Sequence, residues 1–230
     1  MLNYKNLLIG KERKIYKGNN VKKNVILPGD SSELPDDFLK VIVFIDNAYL
    51  IRLKNYFFKG SFRYSLREFI ENLARKNNFS ILKIYLYDAP PFQSRYPTEK
   101  ENKMKEDYDR FVSLFRKEDI IVREGRTQRL KVDDSFIYKQ KGVDMLLGID
   151  MVGATKEFNL EGVILLSGDS DFVPVVEKLK SLKTKVILWT YFERNRKSPF
   201  SRSNYLIESV NEFVKLSKED FEEVSLKEEK

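Results

Sequence analysis

Apolar residues fall into two patterns along the chain. Short, nearly unbroken runs occur at Val41–Ile45, Ile81–Tyr87, Ile120–Val122, Val163–Leu166, Val186–Trp189 and Phe213–Leu216. Runs of about four to eight apolar residues between turn signals predict strands buried on both faces. Between them the spacing changes to three and four. Leu66, Phe69, Ile70 and Leu73 form one helical face, and Met104, Tyr108, Phe111 and Phe115 a second. Val143, Leu146, Leu147 and Met151 form a third, and Phe172, Val175, Val176 and Leu179 a fourth. Ser65 with Glu68, and Thr98 with Glu101, mark two helix starts as capping boxes. Strands alternating with helices at these distances predict right-handed βαβ units and a mostly parallel α/β sheet.

The remaining segments lack clear periodicity. Residues 1–38 read as a basic N-terminal arm, best anchored at Val25–Leu27, and residues 217–230 as a frayed acidic tail. The predicted domain spans residues 39–216. Residues 49–63 mix aromatic and basic side chains. They could form a base-stacking surface, but the Phe residues fit a helix and loop that bury their rings. Gly125–Asp134 reads as a basic loop or hairpin, with Arg123 just before it.

Composition narrows the chemistry. The 230 residues contain no histidine and no cysteine. This excludes imidazole general bases, Ser-His-Asp triads, thiolate metal sites and disulfides. Hydrolysis must then rest on carboxylates, Lys, Tyr or a carboxylate-held metal, and an all-oxygen site favours Mg²⁺ or Mn²⁺. No apolar run approaches the ~20 residues that cross a membrane, and the N-terminus carries no secretory signal pattern. The expected location is cytoplasmic. The net charge of +7 is unevenly spread. Residues 1–24 hold seven Lys/Arg against Glu12 alone, while residues 217–230 hold three Lys against six acids. A basic arm and a mildly basic body fit a polyanionic partner, although an ordinary solvated lysine-rich surface gives the same count.

Four carboxylates carry the candidate chemistry. Asp46 follows the first strand, Asp169 and Asp171 follow the strand Val163–Leu166, and Asp144 lies early in the helix after Gly142. In an open α/β sheet ligands bind beyond the carboxyl ends of the strands, where strand order reverses. If the first strand and Val163–Leu166 are neighbours there, the acids meet. Each also has a plainer reading, as a helix cap or a first-turn anion. Brought together, they would repel unless a cation lay between them. Mg²⁺ accepts such ligands and commonly links carboxylates to phosphates. Asp88 also ends a strand, but reads as structural.

Four segments in order then resemble a known family: Phe44–Leu50 (FIDNAYL), Tyr87–Pro91 (YDAPP), Lys141–Asp144 (KGVD) and Ser167–Phe172 (SGDSDF). They are similar to the signatures of NYN domains, the LabA-like branch of the PIN-like nuclease superfamily. The resemblance implies a three-layer α/β/α fold around a five-stranded parallel core and a Mg²⁺- or Mn²⁺-dependent ribonuclease site. Asp46, Asp144, Asp169 and Asp171 would hold the metal, with Asn47 and Ser167 as neighbouring polar groups. The chain departs from the pattern at Asn47 and Tyr49, where relatives often carry Gly and Asn. It departs again at Asn211, where many carry an acid.

The expected function is metal-dependent endoribonucleolytic hydrolysis, with RNA as the expected substrate and DNA as the second candidate, leaving 5′-phosphate and 3′-hydroxyl ends. Arg126, Arg129, Lys139 and Lys141 are the candidate phosphate contacts. The alternative is a catalytically weak nucleic-acid-binding or regulatory module of the same fold. A homo-oligomeric or protein partner would be reached through the N-terminal arm.

Overall fold

The computed structural model describes residues 38–59, 62–158, 160–201 and 203–226. The proposed arm therefore lies outside the described residues, apart from Phe38, as do residues 227–230.

The chain runs β1 (Leu39–Asp46), α1 (Asn47–Phe57), α2 (Leu66–Lys76), β2 (Phe79–Asp88), α3 (Glu99–Lys117) and β3 (Ile120–Glu124). A hairpin of β4 (Arg126–Val132) and β5 (Ser135–Lys141) follows. The second half runs α4 (Val143–Glu157), β6 (Gly162–Leu166), a 3-10 turn (Ser170–Phe172), α5 (Val173–Ser181), β7 (Lys185–Thr190), α6 (Asn204–Ser209), β8 (Glu212–Lys215) and α7 (Lys218–Glu222). The main sheet has the order β3-β2-β1-β6-β7-β8, and every neighbouring pair is parallel. It has six strands, one more than the family resemblance implies; the addition is the short edge strand β8.

Both faces of the sheet are covered, which is why its strands read as unbroken apolar runs. Val41, Val43 and Ile45 of β1 enter one core with residues of α1, α2 and α3. Ile42 and Phe44 enter the other core with residues of α4, α5 and α6. β6 divides in the same way, Ile164 and Leu166 against Val163 and Leu165. The result is a three-layer α/β/α sandwich. The Thr98 capping box forms in full, while Ser65 accepts the Glu68 amide. Among the described residues no helix is long and apolar enough to cross a membrane.

One expectation needs correction, and one open choice is decided. The C-terminal segment is not frayed through residue 226. Ser217 caps α7 in a reciprocal capping box with Asp220, and Phe221 is fully buried among Phe57, Phe58, Tyr64 and Phe69. The aromatics of residues 49–63 are mainly structural for the same reason: their rings build this cluster.

Candidate active site

The chain builds β1, β2 and β3 outward in one direction, then returns to place β6, β7 and β8 on the other side of β1. The reversal falls between β1 and β6, where a parallel sheet opens a crevice at its carboxyl edge. Ile45 pairs with Leu166 in the last register position, so Asp46 and Ser167 leave the sheet side by side.

Asp46 is buried and caps α1: Oδ1 accepts the Tyr49 amide at 3.1 Å, and Oδ2 accepts the Ser167 hydroxyl at 3.0 Å. Ser167 Oγ also accepts the Asp169 amide at 3.2 Å, tying the ends of both central strands through one hydroxyl. Asp169 caps the 3-10 turn by accepting the Asp171 amide at 3.0 Å. The capping reading therefore holds for Asp46 and Asp169. It does not exhaust them, because each carboxylate keeps further lone pairs.

Electrostatics link the four acids. Burial pushes the Asp46 carboxyl up to about 6 against the two hydrogen bonds it accepts, and the charge of Asp144 adds to the rise. Asp144, on the exposed rim at the start of α4, is raised by partial desolvation and then by the charges of Asp169 and Asp171. Three separate elements thus bring mutually repelling acids to one edge. The donors are all oxygen, which suits a hard divalent cation. Among the described residues no three acidic side chains stand in direct ligating geometry. An ion here would be bound directly by one or two carboxylates and keep several waters, the usual habit of Mg²⁺.

This arrangement sits in a recognisable sequence frame: the family profile described as NYN domain matches residues 40–217. The chain belongs to the NYN domain family. A solved protein of unknown function from Vibrio parahaemolyticus shares the fold, with a TM-score of 0.51 and 18% identity over 84% of this chain and 100% of that one. A search of curated proteins found no match. NYN membership gives the chain a nuclease-like fold within the PIN-like superfamily.

In this NYN domain the departures from the family pattern have physical causes. Tyr49 is buried, and its hydroxyl lies 3.0 Å from Thr190 Oγ1 and accepts the Tyr191 amide at 2.7 Å. Its ring crosses beneath Gly168, where a Cβ would come within 2.6 Å of Tyr49 Cε2. Tyr49 therefore wedges α1 against the segment carrying Asp169, and Gly168 is the residue that lets it pass. Asn47 donates from Nδ2 to Asp88 Oδ2 at 2.7 Å, on the β2 side of β1, opposite β6.

Asn211 needs correction as a site neighbour. Its Oδ1 accepts the Val186 amide at 2.9 Å and its amide donates to the Val186 carbonyl at 3.1 Å. Val186 lies at the start of β7, so Asn211 aligns β8 at the amino edge, across the sheet from the acids. The missing acid at this position leaves the switch-point cluster untouched.

The four predicted phosphate contacts divide. Arg126 pairs opposite Lys141, and Gln128 opposite Lys139, so Arg126, Lys139 and Lys141 share one face of the hairpin. Arg129 pairs with Tyr138 on the other face. Its guanidinium stacks over Phe92 at 4.7 Å and Phe136 at 4.6 Å. Arg129 thus helps hold the hairpin to the loop after β2.

Arg52 joins the site in the structure, though the sequence shows it only as one cation in an aromatic stretch. It lies over the Phe200 and Tyr49 rings, at 5.4 and 5.8 Å, and its charge partly offsets the rise at Asp46. With Tyr49, Gly168, Thr190 and Tyr191 it lines a cavity of about 40 Å³. That volume has room for water but not for a nucleobase.

Proposed function

We propose that this NYN domain is a divalent-metal-dependent endoribonuclease. The observation that carries the reading is the electrostatic coupling of Asp46, Asp144, Asp169 and Asp171 across the switch point, with Ser167 bridging the two central strands. Asp46, Asp144, Asp169 and Asp171 would hold Mg²⁺ or Mn²⁺. When bound, such an ion supplies water of lowered pKa and positive charge for the phosphate.

The chain's own residues supply position and selectivity. Ser167 fixes Asp46 against Asp169, so the two strand ends move as one unit. Burial and neighbouring negative charge raise the Asp46 and Asp144 carboxyls, and a bound cation would relieve that repulsion. Arg52 and the cations at the hairpin base would attract the RNA backbone. Water adds to phosphorus and the P–O3′ bond breaks, leaving a 5′-phosphate and a 3′-hydroxyl. No ribose 2′-hydroxyl takes part in this route.

RNA cleavage in Mg²⁺ or Mn²⁺ tests the proposal, with Asp46→Asn and Asp169→Asn as controls. The expected loss is at least ~10²-fold in rate for each, the scale of removing one charge-stabilising group. Activity that survives both substitutions would contradict the assignment.

One observation favours a second reading, a nucleic-acid-binding or regulatory module of low activity: no acidic triad in direct ligating geometry occurs among the described residues. That reading predicts tight, salt-sensitive RNA binding together with no Mn²⁺ heat signal in calorimetry.

A further inference from the structure

The β4–β5 hairpin stands outside the main sheet, pairing only within itself. Its two faces have different lives. The inner face is tethered to the body, though Phe136 and Tyr138 on it stay partly exposed: Thr127 Oγ1 donates to the Pro90 carbonyl at 2.6 Å, and Tyr138 packs on Phe92 with ring centroids 5.9 Å apart. Gln140 Nε2 donates to Asp88 Oδ1 at 2.8 Å. Asp88 is fully buried at the end of β2 and grips both sides. Its Oδ2 takes Asn47, the residue after Asp46, while its carbonyl takes the Gly125 amide at the hairpin base. Gly125 leaves no room for a side chain there, since a Cβ would stand 2.7 Å from the Lys141 carbonyl oxygen and from Val143 Cγ2. One buried carboxylate therefore sets the hairpin relative to the strand end that carries Asp46.

The outer face is organised differently. Two rungs at its base are polar or cationic, Arg126 with Lys141 and Gln128 with Lys139. Beyond them come Leu130 with Ile137, then Val132, with Ile137 37% and Val132 46% exposed. The three cations make no ion pair among the described residues. Alternate residues on a strand stand about 7 Å apart, comparable to successive phosphates of an extended single strand. The base of this face is contiguous with Asp144 through Lys141, Gly142 and Val143.

We propose that this hairpin is a guiding arm for single-stranded RNA, with Asp88 as its positioning residue. The cationic rungs hold consecutive phosphates, and the aliphatic rungs beyond them meet unstacked bases. A duplex would hide those bases. The assignment rests on the nuclease reading for its choice of RNA, but not on catalysis.

The test is fluorescence polarisation of a labelled single-stranded oligoribonucleotide in EDTA, across a salt series. Replacing Arg126, Lys139 and Lys141 together by Gln should weaken binding about tenfold or more. It should also reduce the slope of log Kd against log salt by about 2, since each lost phosphate contact removes ~0.7 on a single strand. Gln140→Leu keeps every charge but removes the hairpin's bond to the Asp88 carboxylate, so affinity should fall with the slope retained. Unchanged affinity and slope in the triple variant would overturn the arm, as would preference for duplex over single strand. Hairpin-dependent binding without metal-dependent cleavage would defeat the nuclease reading and leave the arm standing. Cleavage indifferent to the hairpin would do the reverse.

Discussion

At the scale of single residues, Asp46 combines two opposed demands. It caps α1 and receives Ser167, yet it is buried beside other acids, and its carboxyl titrates near pH 6. A carboxyl raised in the folded state binds protons more tightly there than in the unfolded chain. Its stabilising contribution is complete below about pH 4 and is lost as pH rises through 6. The rise from 3.8 to about 6 corresponds to roughly 3 kcal/mol. Asp46→Asn should therefore gain stability relative to the wild type between pH 4 and 7 in divalent-free buffer, while losing activity. Urea denaturation at the two pH values measures this, and a pH-independent difference would count against it. Gly168→Ala tests the wedge: Tyr49 is pinned by Thr190 and Tyr191 and cannot yield to a new methyl. The expected cost is about 1–3 kcal/mol, the range for overpacking, read as a lower denaturation midpoint.

At the scale of elements, the six sheet strands and helices α2 to α5 were legible because both periodicities repeat there, whereas the short α6 carries too few turns to show one. The acids were legible because a residue following a parallel strand must lie at the carboxyl edge. The same rule places Asn211, which precedes β8, at the amino edge; family resemblance pulled it the wrong way. Arg129 falls outside the cationic face through parity. Once Asp133 and Asp134 are seen to form the two-residue turn, with Asp133 at a φ of 52°, Arg126 and Arg129 must fall on opposite faces. The C-terminal helix was obscured by its acidic composition, although Ser217 with Asp220 marks its start and Phe221 its buried side. Phe221→Ala should cost about 3–5 kcal/mol, as for other fully buried Phe residues. Thermal denaturation would show it, and a melting point unchanged from the wild type would mean that α7 is not part of the folded core.

At the scale of the whole molecule, an all-parallel sheet brings three chain segments, distant in sequence, to one crevice. β1 delivers Asp46, β6 delivers Asp169 and Asp171, and α4 delivers Asp144 after the hairpin. Long-range assembly of this kind is invisible to local pattern, so Asp88, Gln140 and Arg52 acquire their significance only in three dimensions. The cluster's self-repulsion implies linkage to cations: saturating Mn²⁺ should raise the melting temperature of the wild type and leave Asp169→Asn nearly unmoved. The most direct measurement is anomalous diffraction from crystals soaked in Mn²⁺. A peak is expected at the crevice between β1 and β6, bound directly by one or two of Asp46, Asp144, Asp169 and Asp171 and otherwise by water. A strong peak elsewhere, or none at this crevice at saturating Mn²⁺, would contradict it.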